Sequence, residues 1–86
     1  MECTFSELMN MEVISTVTGA RLGFIDDIVL DTESCLVQSF IIRGRPRLGG
    51  IMGKEEDIYI PCTYIDKIGS DTVLVRIGDL SELHKN

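Results

Sequence analysis

The most prominent chemistry in the sequence is a group of basic side chains in one short, glycine-rich segment. The formal net charge is −6, yet half of the eight Lys and Arg residues lie between positions 43 and 54: Arg43, Arg45, Arg47 and Lys54. Arginines at alternate positions of an extended segment project to the same side. A guanidinium group makes paired hydrogen bonds with a carboxylate or a phosphate. The segment is therefore a candidate contact for an anionic or acidic partner.

The middle of this segment is apolar, because Leu48, Ile51 and Met52 lie between glycines. These side chains form either an exposed patch for a partner or second subunit, or a cap folded back over an open end of a small β domain. The arginines likewise have a second interpretation, a solvated hairpin tip neutralised by the acidic residues at 55–57. The candidate partner-binding residues are Arg43, Arg45, Arg47, Leu48, Ile51, Met52 and Lys54.

The remaining titratable residues do not form a catalytic or metal-binding motif. The carboxylates between Asp26 and Glu33 lack the spacing of a calcium loop, and we expect them to be solvated. Cys3, Cys35 and Cys62 are far apart, which indicates reduced thiols rather than a disulfide framework or a zinc site.

Catalytic motifs are absent as well. The single histidine, His84, lies near the C-terminus, and the sequence contains no nucleophile motif. The glycines do not form a phosphate-binding loop, because Glu55 follows Lys54 where Ser or Thr is required. We expect no enzymatic activity and no cofactor or metal.

Length and composition limit the class of protein. A chain of 86 residues is long enough for one domain, which we place at residues 1–86. A pI near 4.5 argues against general nucleic-acid binding. No apolar run approaches the roughly 20 residues of a membrane-spanning helix, and the acidic N-terminus does not resemble a secretory signal. We expect a cytoplasmic protein without a membrane span.

Short apolar runs separated by turn residues predict an all-β domain. A bulge is expected near Gly23 or Asp26. The residues Leu36, Phe40 and Ile42 are predicted to share one face. The predicted strands are 12–15, 21–31, 36–43, 57–60, 65–68 and 72–77.

The last strand and the two ends of the chain add further expectations. Val73, Val75 and Ile77 are predicted to share one face, and Leu74 would lie outside the core, which favours a homodimer through sheet faces or edges. Short helical turns are expected at Thr4–Met9, with Ser6 as N-cap, and at residues 79–82, which resemble a capping box.

Three stretches of the sequence resemble the PRC-barrel domain, and in particular the YlmC/YmxH group of sporulation proteins. They are GARLGFIDDIVLD (19–31), SFIIRGRPRLGGIMGKEEDIYIP (39–61) and YIDKIGSDTVLV (64–75). The resemblance implies a small, partly open barrel of about six short antiparallel strands over residues 6–77, followed by a tail at 78–86.

The resemblance also implies a non-catalytic role in protein interaction or assembly, associated with sporulation, with an unidentified protein partner. An alternative is a ribosome- or RNA-associated factor that contacts an anionic partner through the Arg43–Lys54 loop. That alternative follows from the presence of PRC-barrels in a ribosome maturation factor, and the acidity of the chain makes it the weaker expectation.

Overall fold

The computed structural model describes residues 2–44, 50, 51, 53, 56–78 and 83. Within these residues the secondary-structure elements are, in chain order, α1 Phe5–Leu8, β1 Glu12–Ser15, β2 Arg21–Phe24, β3 Asp27–Asp31, β4 Leu36–Ile42, β5 Ile58–Pro61, a 3₁₀ turn Cys62–Tyr64, β6 Ile65–Ile68 and β7 Thr72–Val75.

The described strands form two sheets. Sheet A has the order β2-β1-β7-β6, and sheet B has the order β3-β4-β5. β1 pairs with β7 in parallel, and the other pairings are antiparallel. The all-β prediction is confirmed. In the described part of the chain the strand count is seven rather than about six, and the β1–β7 pairing departs from the antiparallel expectation.

The chain passes between the sheets at two corners. β2 leads into β3 through Ile25 and Asp26, and β5 leads into β6 through the 3₁₀ turn. Among the described residues the two sheets keep separate hydrogen-bonding ladders, which agrees with a partly open barrel.

The first corner explains why residues 21–31 form two strands and not one. The pairing of β1 with β2 skips Leu22, so this residue forms a bulge beside Gly23. Gly23 has a φ of 138°, and a Cβ at this position would lie 2.8 Å from Cγ2 of Ile42. A side chain is excluded here by both the backbone conformation and the close approach of β4. The expected irregularity near Gly23 is confirmed.

A second bulge changes which side chains of β4 reach the core. The pairing with β3 skips Gln38, so the alternation of faces shifts by one residue. Val37 consequently packs against the core on the side of Phe40 and Ile42, whereas Leu36 is 65% exposed. The prediction that Leu36 shares the core face is wrong for this reason.

The core lies between the inner faces of the two sheets. Val73, Val75 and Ile77 are almost completely buried, as their alternation predicted. The other buried residues of this cluster are Leu8, Met11, Val13, Ile25, Phe40, Ile42, Ile60 and Leu83.

Ser15 is a polar residue buried at the end of β1. Its Oγ donates to the carbonyl oxygen of Ile77 at 2.6 Å and accepts from the backbone N–H groups of Val17 and Thr18, each at 3.1 Å. One hydroxyl therefore joins the β1–β2 turn to the segment that follows β7.

The N-cap of the N-terminal helix lies two residues before the predicted one. Thr4, and not Ser6, is the N-cap: its Oγ1 accepts from the Glu7 N–H at 3.1 Å, and a Glu7 carboxylate oxygen accepts from the Thr4 N–H at 2.8 Å. The Thr4 N–H and the Thr4 hydroxyl both donate to Glu7 Oε1, and these two hydrogen bonds lower the pKa of Glu7. The helical turn predicted at 79–82 lies outside the described residues.

Candidate functional site

Arg43, the first residue after β4, is held by carboxylates from both neighbouring strands. Its Nη2 donates to Asp27 Oδ2 on β3 at 2.7 Å, and its Nη1 donates to Asp57 Oδ2, just before β5, at 3.0 Å. These two hydrogen bonds, with Asp57 first, raise the pKa of Arg43. The guanidinium group therefore spans sheet B from one edge strand to the other.

The backbone at this point is fixed as well. The Arg43 N–H donates to Asp26 Oδ2, and the Gly44 N–H donates to Asp57 Oδ1, each at 2.8 Å. Asp57 thus binds both a side chain and a backbone amide at the start of the loop, although it belongs to the end of the loop. We call Asp26, Asp27, Arg43, Gly44 and Asp57 the loop base.

Asp27 accepts two hydrogen bonds as a carboxylate. The Ile28 N–H donates to its Oδ1 at 2.9 Å, and Arg43 donates to its Oδ2. Both hydrogen bonds, the Ile28 amide first, lower the pKa of Asp27 below its ordinary value of 3.8. The group is therefore ionised at neutral pH, and the loop base keeps its ion pairs under those conditions.

The loop base changes the charge balance that the sequence suggests. The segment 43–54 contributes four basic residues. Three acidic residues follow it at 55–57, and the fold adds Asp26 and Asp27, which gives five carboxylates against four cations. The charge of this end of the molecule is consequently close to neutral.

The other predicted partner-binding residues can be placed only in part. Ile51 is 85% exposed. Arg45, Arg47, Leu48, Met52 and Lys54 lie outside the described residues.

A second group of basic residues lies on the outer face of sheet A. Cross-strand pairing places Arg21 beside Ile14, Ile14 beside Leu74, and Leu74 beside Lys67. Paired residues share a face of a sheet, and the neighbours Val13 and Val73 point into the core. The row therefore runs across all four strands as cation, apolar, apolar, cation.

Arg76 extends this surface, which we call the outer basic face and define as Ile14, Arg21, Lys67, Leu74 and Arg76. Arg76 alternates with Leu74 along the chain, and its Nη1 donates to Asp66 Oδ1 at 2.7 Å. Phe24, whose register partner is Glu12, adds a further apolar side chain at 43% exposure.

The outer basic face carries a net positive charge. Arg21 makes a paired hydrogen bond with Glu12 at 2.8 and 2.9 Å, which raises the pKa of Arg21. Among the described residues Lys67 makes no ion pair. Among the described residues assigned to this face, three cations and the two carboxylates of Glu12 and Asp66 sum to +1, in a chain whose net charge is −6.

Sequence reasoning did not identify this face. Arg21, Lys67 and Arg76 are separated by long stretches of sequence, and only the strand order brings them together. The alternation in 12–15 and 72–77 was the one available signal, since it points Ile14 and Leu74 away from the core. The exposed position expected for Leu74 agrees with its half-buried state.

The thiols and carboxylates do not assemble into a metal site within the described residues. Cys3 and Cys35 are exposed free thiols, and Cys62 is partly buried, which raises the pKa of its thiol. No helix in the described ranges is long and apolar enough to cross a membrane.

Comparison with known proteins identifies the family. The PRC-barrel domain matches residues 2–81. The chain is 36% identical over 76 residues to the probable sporulation protein YlmC of Bacillus subtilis, an alignment that covers 88% of this chain and 94% of that protein. It is 43% identical over 76 residues to an uncharacterized protein of Clostridium acetobutylicum, covering 88% and 85%. The two-sheet fold and these similarities show that the chain belongs to the PRC-barrel family.

Proposed function

We propose that this chain is a non-catalytic interaction module that assembles or positions another protein during sporulation, and that it contacts this partner through the 43–54 loop. The sporulation role is supported by the similarity to the probable sporulation protein YlmC. The interaction role is supported by the geometry of the loop base.

The observation that carries the proposal is the fixation of both loop ends. Asp57 binds the Arg43 side chain and the Gly44 amide, and Asp26 binds the Arg43 amide. A loop anchored in this way starts and ends at defined positions, which reduces the entropy lost when it binds. Ile51, at 85% exposure, supplies an apolar contact of the kind that protein interfaces bury.

The same geometry divides the basic residues into two roles. Arg43 is occupied by intramolecular carboxylates, so we assign it to positioning the loop. We assign Arg45, Arg47 and Lys54, which lie outside the described residues, to contact with the partner because of their charge. The near-neutral balance of this end favours a protein with apolar and acidic side chains over RNA, whose binding depends on an excess of cations.

The test compares two loop variants in affinity purification from a sporulating host at low salt. The Arg45→Glu/Arg47→Glu variant should lose a protein that the natural chain retains. The Arg43→Gln variant should keep these charges but bind the same protein less tightly, because its loop ends are less constrained. Faster hydrogen exchange of the Gly44 amide in Arg43→Gln would show that the base has opened.

Other results would contradict the proposal. Recovery of the same proteins with both variants and the natural chain would exclude the loop as the contact. Recovery of RNA that is lost with increasing salt would favour the alternative of a ribosome- or RNA-associated factor. Normal spore yield after clean deletion of the gene would argue against the sporulation role.

A further inference from the structure

We infer that the outer basic face of sheet A is a docking surface for a second copy of this chain, and that it binds the tip of the β3–β4 hairpin. This inference concerns a surface different from the 43–54 loop and does not depend on the proposed function. It rests on two described surfaces with complementary chemistry.

The hairpin tip has the composition that the outer basic face requires. It consists of Asp31, Glu33 and Leu36. Leu36 is 65% exposed and shares a face of the hairpin with its register partner Asp31. The Asp31 carboxylate accepts from the Glu33 N–H at 2.9 Å, and Glu33 itself is exposed in the turn.

The outer basic face offers the opposite pattern. Ile14 and Leu74 form a half-exposed apolar pair, with Arg21 on one side and Lys67 on the other. Leu36 placed on the apolar pair would bring Asp31, its register partner, and the nearby Glu33 towards a flanking cation. Among the described residues, Lys67 makes no ion pair that would compete with this contact.

The arrangement must join different copies. The outer face of sheet A points away from sheet B, which carries the hairpin, so a tip cannot reach the face of its own molecule. Stacking two outer basic faces about a two-fold axis would place flanking cations against each other. The complementary pairing is therefore face to tip, a heterologous contact that leaves one free face and one free tip in every dimer.

A contact limited to a hairpin tip is small, and such interfaces are weak. We therefore expect dissociation constants between about 10 µM and 1 mM, with weaker association at high salt. Sedimentation velocity over this concentration range is the measurement. The natural chain should form dimers and larger species as its concentration rises.

Two exposed substitutions separate the surfaces. Lys67→Glu on the face and Leu36→Ser on the tip should each weaken self-association by at least about tenfold. Phe5→Ser is the matched control, since it removes another large apolar side chain that is 56% exposed but belongs to neither surface. Circular dichroism confirms that each variant is folded.

Mixing provides the decisive result. Lys67→Glu keeps an intact tip and Leu36→Ser keeps an intact face, so an equal mixture should form 1:1 dimers and nothing larger. Glu33→Lys alone should also weaken self-association. A Glu33→Lys/Lys67→Glu chain should regain the self-association that each of its two single substitutions loses, because its charges are exchanged. A natural chain that stays monomeric throughout, or variants that associate like the natural chain, would overturn the inference. So would a mixture that forms no dimer.

Discussion

At the loop base one arginine lies among three carboxylates, whereas on the outer basic face three cations share two. The first group is conspicuous in the sequence, and the fold neutralises it by adding Asp26 and Asp27. The second group is dispersed in the sequence, and the strand order collects it. A cluster of basic residues in the sequence therefore does not predict a positively charged surface, and a positively charged surface can form from basic residues that are far apart in the sequence.

The two regions also differ in the residues that lie beneath them. The outer basic face lies directly over Val13, Val73 and Val75, which are fully buried. The loop base consists of side chains at the surface, where ion pairs contribute little to folding. Substitutions beneath the face should accordingly change stability, and those at the base should change mainly the geometry of the loop.

The largest effect is expected at the corner that connects the two regions. Gly23→Ala places a Cβ 2.8 Å from Ile42 Cγ2 at a φ of 138°. Strain and a forced shift of β4 should lower the free energy of unfolding by about 2–4 kcal/mol. Urea denaturation followed by circular dichroism measures the change. Gly19→Ala is the control, since its φ is also positive but a Cβ there has no neighbour within 4 Å.

A smaller but clear loss is expected beneath the face. Ser15→Ala removes a buried hydroxyl that makes hydrogen bonds with the backbone of Ile77, Val17 and Thr18. It should lower the free energy of unfolding by about 1–3 kcal/mol. The neighbouring Thr16→Ala removes a single, partly buried hydrogen bond of an exposed residue and should cost less. Urea denaturation measures both losses. If the two variants lost equal free energy of unfolding, the burial of the Ser15 hydroxyl would not explain its contribution.

The smallest effect is expected at the loop base, and it depends on pH. Because the folded-state pKa of Asp27 is lowered, its ionisation stabilises the fold above pH 3.8, and the stabilisation is lost as the pH falls through the folded-state value. Asp27→Asn should therefore melt slightly below the natural chain at pH 7. Melting temperatures between pH 7 and about pH 2 should converge at the acid end. A constant difference would show that Asp27 acts by packing and not by charge.

Parts of this fold follow from local patterns in the sequence. The strands 12–15 and 65–68 were predicted with their observed bounds, and the alternation of Val73, Val75 and Ile77 predicted their burial. Local patterns fail where two sheets meet. Residues 21–31 were predicted as one strand, yet they form two, β2 and β3, because the chain passes from one sheet to the other at Ile25 and Asp26.

The candidate sites were predictable only to the extent that they are contiguous. The acidic residues at 55–57 indicated neutralisation of the loop from one side. The contribution of Asp26 and Asp27 depends on the register of β3 with β4, and a bulge at Gln38 shifts that register. The outer basic face depends on β1 pairing with β7, a contact between the two ends of the domain that no local pattern encodes.

The parallel pairing of β1 with β7 has a consequence for how the chain is made. Ser15 and Ile77 are 62 positions apart, so the centre of sheet A forms only after the last strand of the domain is available. Contacts between distant residues slow folding. During synthesis the β3–β4 hairpin can form early, whereas β1 can pair with β7 only after β7 has left the ribosome. The centre of sheet A should therefore form later than the β3–β4 hairpin, once residues 72–77 are available.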